Sequence, residues 1–201
     1  MFSQALPGEN TGLKKAAWNA RSLLHWDPAL AQEKFGMLLK MLIVNDIVAL
    51  QEVHGDKADM KLLTQRHTQS HTSGLSPHDN PTAGGVITYV KNDLLGINTK
   101  RADKPIVDGR VLRSIISKQI GPEKHSITIF NVHNFGCSDR QVENIKKYVS
   151  EARNKAFKAG PNHAVFVLGD FNFLVPGEAR HHYGSEYSIN TPLATATSPE
   201  A

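Results

Sequence analysis

HAVFVLGDFNF, residues 163–173, is an apolar run that stops abruptly on Gly169, Asp170, Phe171 and Asn172. Residues 163–168 are short and mostly apolar, the pattern of a strand buried on both faces. A strand of this kind that ends on an acid and an amide delivers both groups to the rim of a sheet. Layered α/β folds commonly bind ligands there, where loops from neighbouring strands meet.

Three other segments repeat the arrangement. Residues 14–19 (KKAAWN) make a short strand that ends at Asn19, in WNARSL. Residues 46–51 (DIVALQ) make a mostly apolar strand followed by Glu52, in ALQEVH. Residues 125–132 lead to Asn131 and His133, in FNVHNF. If all four segments present their downstream ends together, Asn19, Glu52, Asn131, His133, Asp170 and Asn172 converge.

The intervening chain supplies helices. Asp27 can cap free amides and Pro28 is preorganised at the first helical position, opening a helix with Ala31, Phe35, Leu38 and Leu42 on one face. A second helix is expected near residues 55–65. Ser138 followed by Gln141 is a capping-box pattern for a helix over 138–159, which Gly160 and Pro161 stop. Residues 66–83 read as loop, GGVITYVK (84–91) as a strand, and 106–120 and 125–132 as two β segments joined by a turn at Gly121-Pro122. No Pro/Gly/Ser linker divides the chain and no internal repeat is present. The expected organisation is an irregular leader (1–13), one domain (14–175) and an irregular tail (176–201). Strands that alternate with helices and also come in adjacent pairs predict an α/β fold, a mixed sheet with covering helices.

Bulk properties narrow the function classes. A net charge of +4 and a pI near 9.2 favour a polyanionic partner. The single cysteine, Cys137, excludes an intramolecular disulfide and a cysteine zinc cluster. No stretch approaches the ~20 apolar residues of a membrane span, and the N-terminus has no signal-peptide run. An intracellular protein, nuclear or cytoplasmic, is expected.

The residue types at the strand ends suit phosphate chemistry. Glu52 and Asp170 are hard oxygen donors of the kind Mg2+ takes in ones and twos, keeping water and substrate oxygens in its other positions. Asn19 and Asn172 can orient a phosphate or a water without adding charge. His133 can donate to a phosphoryl oxygen. Plainer readings stand beside these: a turn at Gly169-Asp170, a satisfied polar cap at Asn131 or His133, a core position for Trp18.

The ordered set WNARSL, QE after a buried strand, GGVITYVK, DGRVLRS, NVH and GDFNF resembles the endonuclease/exonuclease/phosphatase superfamily over residues 14–174. In wording it is most similar to non-LTR retrotransposon endonuclease domains. The resemblance implies a deoxyribonuclease-like, partial four-layer α/β sandwich and Mg2+-dependent hydrolysis of phosphodiesters, with Mn2+ as a substitute. DNA is the implied partner; an enzyme acting on a lipid or inositol phosphate and a non-catalytic binding domain are the alternatives. It implies Glu52 as metal ligand, joined by Asp170, and Asn19 as support for metal and phosphate. His133 would contact the scissile phosphate, Asp170 would activate the water and Asn172 would hold the phosphate. Asn131 joins the phosphate-binding set, and Arg110 of DGRVL is an accessory. Family members continue into a Ser-Asp-type motif and a closing Asp-His pair, which nothing after Phe173 matches. The resemblance thus also implies an incomplete second sheet, an exposed apolar face on the first, and weak or absent turnover.

Overall fold

A computed structural model describes residues 12–24, 27–95 and 99–171. Its strands are β1 (Lys15–Asn19), β2 (Ile47–Gln51), β3 (His71–Ser76), β4 (Val86–Lys91), β5 (Thr99–Val107), β6 (Val111–Ile120), β7 (Glu123–His133) and β8 (His163–Asp170). Its helices are α1 (Pro28–Val44), α2 (Lys57–Gln65), the single turn α3 (Asn92–Leu95) and α4 (Asp139–Ala159).

Each long helix begins where side chains satisfy its free amides. The Asp27 carboxylate accepts from the Ala29 amide at 2.9 Å, with Pro28 beginning α1. Ser138 and Gln141 form a reciprocal capping box on α4. Asp56 and Asp59 form another on α2, with the shorter Asp59 in place of the usual Glu or Gln.

The strands form two sheets, ordered β1-β2-β4-β3 and β5-β6-β7-β8. β1–β2 and β7–β8 are parallel pairs; the remaining pairs are antiparallel. The sheets lie face to face, β1 against β8 and β2 against β7. Ile47, Val90, Ile116, Ile127 and Ile129 fill the space between them. On the outer face of the first sheet, α1 and α2 bury Leu38, Leu42, Met60 and Leu63 against Val48, Leu50, Ile87 and Tyr89. On the outer face of the second, α4 packs Ile145 and Val149 against Val111, Phe130 and Val132. Helix, sheet, sheet, helix is the four-layer α/β sandwich, and all five residues of β2 are buried because both faces of the strand are covered.

Three expectations are corrected. His71–Ser76 is a strand, not loop. HTSGLS has little β propensity, but it lies along β4 in continuous antiparallel register and takes its conformation from that pairing. Residues 106–120, expected as one β segment, divide at a turn over 108–110: β5 begins in the charged stretch at Thr99 and ends at Val107, and β6 begins at Val111. The inner face of the first sheet is not exposed: β5 to β8 form a second sheet within the described residues and cover it.

An arginine joins β5 to the first sheet. Arg101 donates to the carbonyls of Thr72 at 2.7 Å and Thr88 at 3.0 Å, and pairs with Asp103 at 2.9 Å. Gly74 makes room, since a Cβ there would lie 2.4 Å from the Asp103 carboxylate.

His67 and His71 both set their rings edge-on to buried Tyr89. Burial, then nearby positive charge, lowers both imidazoles below the ordinary 6.5. As pH falls through 6.5 the unfolded chain therefore binds protons that the folded chain resists, and stability falls. Urea midpoints are expected to hold steady above pH 7 and decline from 6.5 to 5, less steeply in His71→Leu. Identical slopes in the two proteins would remove His71 as a cause.

Candidate active site

Strand register brings the polar strand ends together. Asn19 ends β1 opposite Gln51, the last residue of β2, so Glu52 follows beside it. His133 ends β7 opposite Asp170, the last residue of β8. Across the two sheets, Asn19 Nδ2 donates to Asp170 Oδ2 at 2.8 Å. His133 Nε2 lies 3.0 Å from Glu52 Oε1. Asn19, Glu52, His133 and Asp170 thus meet at one end of the sandwich, as their strand-end positions require.

The backbone around them is strained. The four non-glycine residues with positive φ among the described residues are Arg21 (43°), Ser22 (70°), Glu52 (51°) and His54 (60°). All four lie in the loops after β1 and β2, where left-handed backbone costs about 1–2 kcal/mol per residue. Hydrogen bonds hold it in place. Ala20 and Ser22 donate to the carbonyls of Gln51 and Glu52 at 2.8 and 2.7 Å, prolonging the parallel ladder into the loops. Val53 and His54 donate to Gly85 and Gly84. Lys34 Nζ, from α1, donates to the carbonyls of Arg21 and Ser22. Burial, then the Arg21 charge, lowers the Lys34 pKa.

Gly169 sets the position of Asp170. Its φ is 148°, and a Cβ there would lie 1.9 Å from the Val132 carbonyl oxygen. Only glycine lets β8 approach β7 so closely immediately before the acid.

Arg110 decides the state of His133. Its Nη1 lies 2.8 Å from His133 Nδ1. Guanidinium has no acceptor, so Nδ1 accepts and the imidazole proton sits on Nε2, facing Glu52. That N–H does not aim squarely at the carboxylate, and Nε2 lacks a well-aligned acceptor. Burial, then the charge of Arg110, lowers the His133 pKa against the opposing pull of Glu52. The imidazole is therefore neutral at pH 7. It is also fully buried, its ring stacked 6.2 Å from that of Phe135, which is itself 58% exposed.

The structure places His133 between Arg110 and Glu52, out of contact with solvent, and places Arg110 on His133. Asn131 stands apart from these four. It is fully buried between the sheets. Its Oδ1 accepts from Gln51 Nε2 at 2.7 Å, and its Nδ2 donates to the carbonyls of Leu50 and Ile87 at 3.1 and 2.9 Å. Asn172 lies outside the described residues. Lys34, Phe135 and the Gln51 partner of Asn131 were not among the sequence candidates. Phe135 had a signal, two residues after His133; Lys34 had none.

Glu52, with its side chain 24% exposed, is a carboxylate within reach of a ligand from solvent. Among the described residues no group of three or more His, Cys, Asp or Glu is arranged to hold a metal by itself. The donor set therefore fits a hard cation that keeps water and substrate oxygens as ligands, and does not fit a closed structural zinc site.

Residues 16–193 match the model of the Endonuclease/Exonuclease/phosphatase family. The chain belongs to this family. No curated protein matches it in sequence. Among solved structures it is similar to the AP endonuclease LMAP from Leishmania major, with a TM-score of 0.60 and 18% identity over 86% of this chain and 59% of that one. It is similar to TDP2 from C. elegans, with 0.55 and 16% over 86% and 51%. It also resembles the human Nocturnin catalytic domain with a bound sulfate anion, with 0.51 and 15% over 83% and 66%. At these identities the likeness establishes the fold. The chain spans about three fifths of the length of the Leishmania protein.

Asn131→Ala is expected to destabilise the protein by about 3 kcal/mol, because it removes the acceptor of one Gln51 amide N–H and a donor to two buried carbonyls. Chemical denaturation measures this directly. Unchanged stability with weakened phosphate binding would instead return Asn131 to the ligand-binding set.

Proposed function

We propose that this chain is a metal-dependent phosphodiesterase acting on DNA. The observation that carries the proposal is the pair of cross-sheet contacts, Asn19 to Asp170 and His133 to Glu52, at one end of a sandwich of this family. The basic balance of the chain and its Lys- and Arg-rich segments 91–113 and 140–158 favour a nucleic acid over a lipid or inositol phosphate. The AP endonuclease among the structural neighbours supports the same choice.

Glu52 and Asp170 would hold a divalent cation, Mg2+ with Mn2+ as a substitute. When bound, it would polarise the phosphoryl group and stabilise the departing oxygen. Asn19 Nδ2 donates to the Asp170 carboxylate and so fixes its orientation, and Asp170 would position the attacking water. Asn19, with Asn172, would steady the phosphate. His133 and Arg110 would act through Glu52: a neutral imidazole lies beside the carboxylate without adding a competing positive charge. A direct contact of His133 with the scissile phosphate would need a change in its covered position.

Two measurements test this. Broadening of backbone NMR signals by Mn2+ is expected to centre on Glu52 and Asp170 and to weaken at least tenfold in Glu52→Gln, since the cation loses a charged ligand. Nicking of supercoiled plasmid in Mg2+ is expected to be weak, EDTA-sensitive and lost in Asp170→Ala, with no phosphate released from inositol phosphates. Metal binding that ignores Glu52→Gln would sink the assignment; turnover of inositol phosphates alone would overturn the substrate class.

A further inference from the structure

The seam between α4 and the second sheet changes character along its length. Near the start of α4 it is apolar, with Ile145, Val149 and Ala152 packed on Val111, Phe130 and Val132. Towards the end of the helix the large side chains stop. Ala156 and Ala159 face the strands, and Arg113, Lys124, Ser126 and His163 face them in turn. Small helix residues opposite Ile115, Ser126 and Thr128 leave a cleft of about 250 Å3 whose lining is mostly apolar, with Lys155 among its residues.

The cleft is electrostatically one-sided. Arg113, Lys124 and Lys155 line it, against Glu151 as its one acid among the described lining residues. None of the three cations takes part in the ion pairs of the described residues. Arg113 lies 5.7 Å from the centre of the Tyr148 ring, which Lys104 also approaches, at 5.4 Å. The Arg113 Nε atom is shielded from solvent and has no hydrogen-bond acceptor. A desolvated guanidinium N–H without an acceptor is costly, and the planar guanidinium fork is matched by two oxygens of one phosphate or carboxylate. Ser126 and His163 add polar atoms at the floor, bonded to each other at 2.6 Å.

We propose that this cleft is a binding site for a phosphate group, separate from the strand-end site. Ser126 lies near the start of β7 and His133 at its end, roughly 23 Å apart at about 3.3 Å per residue. One ligand phosphate therefore cannot serve both places. At about 30 Å3 per water the volume holds roughly eight waters, enough for phosphate with a small organic part. The group has two sources, a free phosphate or phosphomonoester and a phosphate of a polynucleotide backbone. Lys124 also borders a neighbouring depression with Lys100 and Lys118, so positive charge continues along the strand ends.

The test is an NMR titration of the full chain with inorganic phosphate at constant ionic strength, balanced by chloride. Saturable shifts are expected at the amides of Arg113, Ser126 and His163, with affinity at least tenfold weaker in Arg113→Gln. The exposed double variant Lys124→Ser, Lys155→Ser is expected to weaken it similarly, and serves if Arg113→Gln fails to fold. A short oligothymidylate then separates the sources. Shifts at the same amides that compete with phosphate indicate a backbone phosphate; their absence, with phosphate still bound, indicates a free phosphate ester. Linear, non-saturating shifts, shifts confined to the surroundings of Glu52 and Asp170, or unchanged affinity in the double lysine variant would overturn the proposal.

Discussion

Between the two sheets, beside the aliphatic cluster of Ile47, Val90, Ile116, Ile127 and Ile129, Gln51 donates to Asn131 across 2.7 Å. Apolar packing alone would tolerate small slides of one sheet over the other, because dispersion and burial are not directional. A buried amide pair is directional, and breaking it leaves polar atoms without water. Asn131 adds hydrogen bonds to the backbone of both β2 and β4, at Leu50 and Ile87. The pair therefore fixes the end of β7 against the end of β2. Glu52 is one residue beyond Gln51, and His133 two beyond Asn131. Their 3.0 Å approach follows from that lock. A one-residue slip of either strand would turn the amide to the opposite face and part the acid from the imidazole.

The same end of the sandwich stores strain that ordinary loops avoid. Four left-handed non-glycine residues within two short loops cost several kcal/mol together, at about 1–2 kcal/mol each. The ladder hydrogen bonds between the loops and the Lys34 ammonium on two carbonyls offset this. The result is a rim in which Asn19 and Glu52 have little freedom before any ligand arrives, and such preorganisation removes ordering cost from binding and reaction.

Much of this end was legible in sequence because strand termini and helix caps are local chemistry. Asp27-Pro28 and Ser138/Gln141 announce α1 and α4 from within a few residues, and both caps are formed. The ends of β1, β2, β7 and β8 follow from apolar runs that stop on polar residues. What depends on partners distant in sequence was not legible. HTSGLS becomes β3 through pairing with β4, and the charged stretch that opens β5 is anchored by Arg101 on carbonyls of Thr72 and Thr88. Asn131 and His133, two residues apart at one strand end, look equivalent in sequence. Their alternation would place them on the same face, yet one is claimed by a buried glutamine and the other by Arg110 and Glu52. Only the opposing sheet distinguishes them.

The state of His133 has a consequence for how Glu52 works. A protonated imidazole 3.0 Å from the carboxylate would be its counter-ion and would compete with any cation approaching from the exposed side. Burial and the Arg110 charge both oppose that protonation, and the Arg110 hydrogen bond to Nδ1 excludes the doubly protonated ring, which has no acceptor left to offer. The arginine thereby keeps positive charge one side chain removed from Glu52, while the ring between them contributes only a dipole. Substitution of Arg110 by lysine would preserve the charge but lose the planar, fixed donor geometry that selects the tautomer. A neutral glutamine there would lose the charge that opposes protonation. On this geometry Arg110 of DGRVL and Glu52, the proposed metal ligand in ALQEVH, belong to one unit, with His133 between them transmitting the identity of the first to the electrostatics of the second.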